Sequence, residues 1–192
     1  MSKILIAYGT SEGQTAKIAE QLAGFILAQG HDAVTADIAR GTPAPAGYQA
    51  VIVGASVHTG KHQRWVVDYA RRNRPALEHL PSAFFSVSLA IQDGTEKGRR
   101  EAEGYVETFA QETGWYPEKV GLFAGALVYT KYNFLLRWVM RRIARSRGSR
   151  DLDTGRDYVY TDPDAVRRFA DEFLTSVAPA EPRIAIAAER VS

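Results

Sequence analysis

The sequence contains no cysteine, which excludes disulfide bonds, iron–sulfur clusters and thiolate chemistry. It also contains no apolar run long enough to cross a bilayer. Its 4 histidines lack the spacing of metal ligands, so we predict no metal site. What is present is ordinary: the 192 residues are 45% hydrophobic and 24% charged, which fits one globular domain with a sizeable core.

Strand patterns and amphipathic helix patterns alternate along the chain. Strands are predicted at 3–8, 32–38, 50–55, 83–88 and 119–127, and helices at 13–29, 62–74, 97–112 and 162–177. This alternation predicts an α/β fold with a doubly wound parallel sheet covered on both faces. We expect a single domain over 1–177 with an insertion at 129–157, followed by a flexible tail at 178–192.

A hydroxyl-rich loop joins the first predicted strand to the first helix. Thr10, Ser11 and Thr15 offer hydroxyl donors, and Gly13 lets the backbone curve around a ligand. The first backbone N–H groups of a helix are unpaired and lie at its positive end, which favours an anion. The loop contains no Lys or Arg and matches neither the Mg-nucleotide nor the dinucleotide phosphate motif. It is interpreted as a site for an enclosed phosphate monoester, or alternatively as a plain N-capping turn.

Two further loops also begin with a hydroxyl directly after a buried strand. The three loops are 10–15, 56–60 and 88–93. Ligands of doubly wound sheets bind at the carboxyl ends of the strands, so we expect these loops to cluster around one ligand. A response regulator has the same fold class, but the third strand ends in Gly54-Ala55-Ser56 without the phosphoacceptor Asp of that class.

Several segments carry a likeness to one known family. In the first loop, Ile6, Tyr8, Thr10, Gly13 and Thr15 fit the phosphate loop of flavodoxins. More specific are the segments 51–56, 81–89, 123–127 and 158–162, together with Tyr129 and Tyr132. From about Ile4 to Phe173 the chain resembles the menaquinone-dependent protoporphyrinogen oxidases, which are long-chain flavodoxin-like enzymes.

This resemblance implies a flavodoxin-like sheet of order 2-1-3-4-5, FMN as cofactor and a quinone as electron acceptor. It implies oxidation of protoporphyrinogen IX to protoporphyrin IX in haem biosynthesis. The cofactor-binding residues that it implies are Thr10, Ser11, Glu12, Gly13, Gln14, Thr15, Ser56, Val57, His58, Thr59, Gly60, Ser88, Leu89 and Ala90. No catalytic base can be named from the sequence.

The chain departs from the family pattern in its second loop. Val57-His58-Thr59-Gly60 stands where the family usually has an Arg and an aromatic residue before the Gly. The segment 128–131 also lacks the usual Pro. A flavodoxin-type electron carrier and a family member without oxidase activity therefore remain alternative interpretations.

A basic run without any acidic residue occupies 131–150. Its basic residues are Lys131, Arg137, Arg141, Arg142, Arg145, Arg147 and Arg150. The spacing of the apolar residues predicts a basic amphipathic helix, which binds anionic lipid or the carboxylates of a substrate. The alternative is a helix whose apolar face packs on the sheet while its arginines are solvated. The candidates for substrate or membrane contact are Tyr129, Tyr132, Arg137, Arg141 and Arg145.

The expected location follows from this run and from the resemblance. A quinone dissolved in the membrane requires the enzyme to visit its surface, so we expect a cytoplasmic protein bound peripherally to the inner face of the bacterial cell membrane. Porphyrinogen, quinone and an anionic membrane surface are the expected partners. No nucleic acid is expected, because the sequence has no DNA-binding motif and no alternation of aromatic and basic residues.

Overall fold

The computed structural model describes residues 1–41, 43–127, 158–159 and 161–177. The predicted insertion at 129–157 and the predicted tail at 178–192 lie outside the described residues.

Strands and helices alternate through most of this part of the chain. The strands are β1 (Lys3–Gly9), β2 (Asp32–Asp37), β3 (Ala50–His58), β4 (Lys61–His62), β5 (Ser82–Ser88), β6 (Lys119–Ala124), β7 (Ala126–Leu127) and β8 (Tyr158–Val159). The helices are α1 (Gln14–Ala28), α2 (Arg64–His79), α3 (Glu96–Thr113) and α4 (Pro163–Leu174).

The main sheet has the order β2-β1-β3-β5-β6, and all of these strands pair in parallel. The short strand β4 pairs antiparallel with the end of β3, and β7 pairs antiparallel with β8 in a separate ladder. When the five parallel strands are counted in chain order, this is the predicted order 2-1-3-4-5. The predicted α/β class and topology are therefore confirmed.

Each face of the sheet is covered by its own hydrophobic core. Because successive strand residues point to opposite faces, Ile4 and Ile6 contribute to one core while Leu5 and Ala7 contribute to the other. The first core includes Ile18, Leu22 and Ile26 of α1 and Phe169 and Phe173 of α4. The second includes Val66 and Tyr69 of α2 and Phe109 of α3. Burial on both faces explains why the central strands are apolar throughout.

The structure corrects two predicted boundaries around the second loop. The third strand does not end at Ala55 but continues to His58, after which Thr59 and Gly60 reverse the chain into β4. Residue 62 is therefore a strand residue, and helix α2 begins at Arg64. The same helix continues through Pro75 to His79 instead of ending at Arg74.

A further difference concerns the last strand of the sheet. The continuous strand predicted at 119–127 is divided, because β6 ends at Ala124 and β7 leaves to pair with β8. The N–H of Gly125, between them, donates to the carbonyl of Ser88 at 3.0 Å, so the break is fixed against the end of β5.

Candidate functional site

Strand register brings the three hydroxyl-headed loops to one edge of the sheet. Gly9 at the end of β1 pairs with Ala55, and Ser56 pairs with Val87 near the end of β5. The end of β5 is aligned in the same way with the end of β6, since Ser88 pairs with Ala124. Parallel register therefore places the starts of the three loops side by side, where a ligand of such a sheet binds.

The first loop is shaped as an anion cradle. Gly13, with φ of 92°, occupies the N-cap position of α1, and no side chain in the described part of the chain caps the helix. The N–H of Gly13 instead donates to Thr10 Oγ1 at 2.8 Å. Because that oxygen already accepts a hydrogen bond, the Thr10 hydroxyl keeps its proton for another acceptor.

Thr15 is the residue of this cradle whose environment most directly fits an anion. Its side chain is fully buried, yet Oγ1 has no hydrogen-bond partner among the described residues. A buried unpaired hydroxyl is costly, and buried polar groups are normally satisfied. The uncapped helix end and this hydroxyl fit a phosphate group, whereas a plain N-capping turn would have paired them.

One residue predicted to bind the cofactor, Gln14, has a side-chain contact elsewhere in the fold. The side chain of Gln14 donates to Thr161 Oγ1 at 2.9 Å, and that hydroxyl donates to the Ala124 carbonyl at 2.6 Å. The Gln14 side chain therefore links the start of α1 to the end of β6. Because the side chain is engaged there, the backbone N–H is the group of Gln14 that could bind an anion. Glu12 is partly buried beside the cradle.

The second loop is a tight hairpin rather than an open loop. Thr59 and Gly60 both have positive φ, at 50° and 82°. This is the combination that two-residue hairpins use to match the twist of their strands. Val57 pairs with His62 and is partly buried, while His58 is exposed at the end of β3. Ser56, at the base of the hairpin, is partly buried and adjoins the first loop.

His62 fills the space beneath the hairpin. Its Nε2 lies 2.9 Å from Ser86 Oγ, and its ring packs edge-on against Phe84 and Phe109 at centroid distances of 5.3 Å. Burial lowers the pKa of His62 to about 4. The ring is neutral at physiological pH and acts as a packed polar core residue.

The third loop is held against helix α3. Ser88 and Ala90 are buried, and Leu89 is partly buried. A Cβ at Gly98 would lie 1.9 Å from the carbonyl oxygen of Ala90, so glycine is required where α3 meets the loop. Thr95 caps this helix by accepting from the Gly98 N–H at 3.1 Å.

Two residues of the site were missed by the sequence analysis. Gln63 is 6% exposed and lies between the first and second loops, and Trp65 is 41% exposed beside Gly9. A Cβ at Gly9 would lie 2.3 Å from Val66 and 3.0 Å from the Trp65 indole nitrogen, so the first turn of α2 packs directly on the end of β1. Nothing in the sequence around Gln63 distinguishes a buried glutamine from one on the surface.

A cavity of about 480 Å³ opens beside the third loop, where α3 and the edge strand β6 diverge. Its lining combines apolar side chains with a helix terminus and an ion-paired arginine: Ile91, Gly94, Thr95, Glu96, Arg99, Val120 and Leu122.

The residues predicted to contact the substrate or the membrane lie outside the described residues. They are Tyr129, Tyr132, Arg137, Arg141 and Arg145. In the part of the chain that the structure describes, no group of three or more potential ligands could hold a metal ion. No helix within that part is long and apolar enough to span a membrane.

Comparison with known proteins adds to this geometry. A family model described as Flavodoxin domain matches residues 5–153. The chain is 34% identical to protoporphyrinogen IX dehydrogenase (quinone) of Leishmania major, across 94% of this chain and 78% of that protein. It is 32% identical to the protein of the same name from Escherichia coli strain K12, across 88% of this chain and 93% of that one.

Solved structures agree on the fold. Oxidised flavodoxin 1 from Bacillus cereus has a TM-score of 0.51 and 17% identity, with 92% of this chain and 100% of that chain covered. A short-chain flavodoxin associated with a non-canonical PDU bacterial microcompartment has a TM-score of 0.54 and 12% identity, with coverages of 91% and 98%. At these identities the likeness concerns the fold alone.

Proposed function

The chain belongs to the flavodoxin domain family, and from this premise we propose that it is an FMN-dependent dehydrogenase that oxidises protoporphyrinogen IX to protoporphyrin IX with a quinone as electron acceptor. The observation that carries the proposal is the identity of 32–34% to proteins named for this reaction, which extends over 88–94% of the chain. The reaction would place the protein in haem biosynthesis.

The cradle at the first loop supports FMN as the form of the flavin. The Thr10 and Thr15 hydroxyls and the backbone N–H groups at the start of α1 would be available to one phosphate. It contains no cation, so the phosphate charge would be balanced by dipoles and hydrogen bonds. When bound, the flavin supplies the redox chemistry, taking electron pairs from the substrate and passing them to the quinone.

In this proposal the protein's own residues hold the flavin in position. The hydroxyls and amides of 10–15 would anchor the phosphate, while the hairpin and the third loop would flank the rest of the cofactor. His62 would not exchange protons with the substrate at neutral pH, because its ring is neutral and closed in by Phe84 and Phe109. Its function there would be to support the hairpin from below.

A porphyrinogen oxidation assay tests the proposal. The purified protein is supplied with FMN, protoporphyrinogen IX and a quinone without oxygen, and porphyrin fluorescence is followed. We expect porphyrin to form with the quinone and not without it. If the protein binds FMN but yields no porphyrin with any quinone, an electron carrier or a member without oxidase activity replaces the oxidase.

We further propose that the segment 129–157 contacts the substrate or the membrane. The support is the acid-free basic sequence 131–150, since arginines bind carboxylates bidentately and attract anionic lipid. Replacing 129–157 by a short linker should abolish turnover and leave FMN bound, because the phosphate cradle is built from other residues. Full turnover by this variant would remove the segment from the mechanism.

Vesicle binding separates the membrane from a dissolved substrate as the partner of these arginines. The protein should bind vesicles of anionic lipid, and binding should weaken as salt screens the attraction. Replacing Arg137, Arg141 and Arg145 by Gln should reduce this binding without unfolding the domain. If the unaltered protein ignores anionic vesicles at low salt, the membrane part of the proposal fails.

A further inference from the structure

Gln63 is a buried amide at the point where two of the cofactor loops meet. It follows β4 directly and precedes the first residue of α2, and it is 6% exposed. A buried amide must find partners for its oxygen and its nitrogen, because leaving either unpaired is costly. The identity of those partners indicates what the residue does.

The orientation of the Gln63 amide is fixed by a backbone group. The N–H of Ser56 donates to Gln63 Oε1 at 3.1 Å, and only the oxygen end of the amide can accept this bond. Nε2 therefore points away from that N–H and carries both N–H bonds of the amide. It donates to Ser11 Oγ in the first loop at 3.2 Å and to Ser56 Oγ at the base of the hairpin.

These bonds determine the direction in which two serine hydroxyls donate. A hydroxyl oxygen that accepts from an amide retains its own proton for a further acceptor. Ser11 and Ser56 are thus both held as donors, in the same state as Thr10, whose oxygen accepts from the Gly13 N–H. The buried Thr15 hydroxyl also has no partner among the described residues, so the loops present donors that need an anion.

We propose that Gln63 is a positioning residue that holds Ser11 and Ser56 as hydrogen-bond donors to the phosphate of FMN. It thereby makes the site prefer the phosphorylated cofactor to riboflavin, which lacks the phosphate. The inference rests on the proposed FMN cofactor but not on the proposed substrate. A residue that merely tied the two loops together would affect FMN and riboflavin alike.

The decisive variant is Gln63→Glu, which has the same shape but cannot donate. Its carboxylate would still accept from the Ser56 N–H, but it would draw the Ser11 and Ser56 protons toward itself and place a negative charge near the phosphate. Binding of FMN and riboflavin to the apoprotein is measured by quenching of flavin fluorescence. We expect FMN affinity to fall by roughly 100-fold or more, and riboflavin affinity to change by less than about 3-fold.

Gln49→Glu is the matched control. Gln49 also accepts a backbone N–H bond through Oε1, from Lys3 at 2.8 Å, but it lies at the opposite end of the sheet. This variant should bind both flavins as the unaltered protein does. Circular dichroism of each apoprotein checks that it is folded.

Two further variants apply if Gln63→Glu does not fold. Gln63→Met keeps the length of the side chain without its donors or a charge, and should lower FMN affinity about 10-fold with little change for riboflavin. Ser11→Ala with Ser56→Ala leaves Gln63 in place and should reproduce the selective loss of FMN affinity.

Equal losses for FMN and riboflavin, or no loss for either, would overturn the positioning role while leaving the FMN proposal intact. An unaltered protein that binds neither flavin would overturn the FMN proposal itself, and this inference with it.

Discussion

The first and second loops both place a hydroxyl after a buried strand, but they fold in opposite ways. In the first, the chain continues from β1 through Gly13 directly into α1, and the hydroxyls of Thr10 and Thr15 remain available. In the second, Thr59 and Gly60 turn the chain back on β3 as a hairpin.

The difference lies in where left-handed backbone conformations occur. One isolated glycine with positive φ at an N-cap allows the strand to enter a helix, whereas two adjacent residues with positive φ reverse the strand. The first loop therefore leaves hydroxyls and helix N–H groups available, while the hairpin folds back over His62. Similar hydroxyl patterns after a strand thus do not by themselves predict a similar backbone path.

The largest expected effect is on the hydroxyls of the first loop. Thr10→Ala with Thr15→Ala should weaken FMN binding by about 3–6 kcal/mol, because each hydrogen bond to a charged phosphate contributes about 1.5–3 kcal/mol. Flavin fluorescence titration measures the loss. Thr108→Ala is the control, since that hydroxyl donates to the Gly104 carbonyl on the exposed face of α3. Unchanged FMN affinity in the double variant would contradict the phosphate cradle.

The second expected effect is a pH dependence of the free energy of unfolding that arises from His62, beneath the hairpin. The pKa of His62 is about 4 in the folded protein and near 6.5 when unfolded, so the unfolded chain takes up the proton first as the pH falls. The free energy of unfolding should be unaffected by this group above pH 6.5, and should fall by about 3 kcal/mol between pH 6.5 and 4.

Denaturant unfolding of the protein and of His62→Gln across this range tests that expectation. All other titrating groups are shared, so the difference between the two profiles isolates His62. The variant should lack this part of the loss, and a difference that is constant with pH would refute the assignment.

The third prediction compares a glycine from each loop. Gly13→Ala and Gly60→Ala both place a Cβ on a left-handed backbone, at φ of 92° and 82°, and each should lower the free energy of unfolding by about 1–2 kcal/mol. FMN affinity should fall further in Gly13→Ala, because that residue shapes the cradle. Thermal unfolding and flavin titration of the two variants are compared, and equal losses of affinity would remove the distinction between the loops.

The smallest effect should be a gain in stability. Thr59 is a β-branched residue at φ of 50°, which is unfavourable, and Asn tolerates this conformation better. Thr59→Asn creates the Asn-Gly sequence that two-residue hairpins prefer, and should raise the free energy of unfolding by about 0.5–1 kcal/mol. Denaturant unfolding measures it, and a loss of stability would mean that the Thr59 side chain has a stabilising contact of its own.

Prediction from sequence succeeded where the pattern is local and repeated. The apolar strands and the helix periodicity identified the sheet, and parallel register then brought the loops together. It failed at the hairpin, because His62 and Gln63 were included in the helix predicted at 62–74, whereas His62 belongs to β4 and α2 begins at Arg64. A two-residue strand has no periodicity, so only its pairing with Val57 and His58 defines it.

The sequence by itself determined the α/β class and the alternation of strands and helices, since these depend on residue periodicity, while the order of the main strands came from the resemblance to flavodoxin-like enzymes. Only the tertiary structure decided that the buried Thr15 hydroxyl has no partner among the described residues and that Gln63 joins two loops. It also decided that His62 packs edge-on against two stacked aromatic rings, those of Phe84 and Phe109. Burial and hydrogen-bond partners depend on segments distant in sequence, such as Ser11 and Gln63, which are 52 positions apart, and no local pattern encodes their meeting.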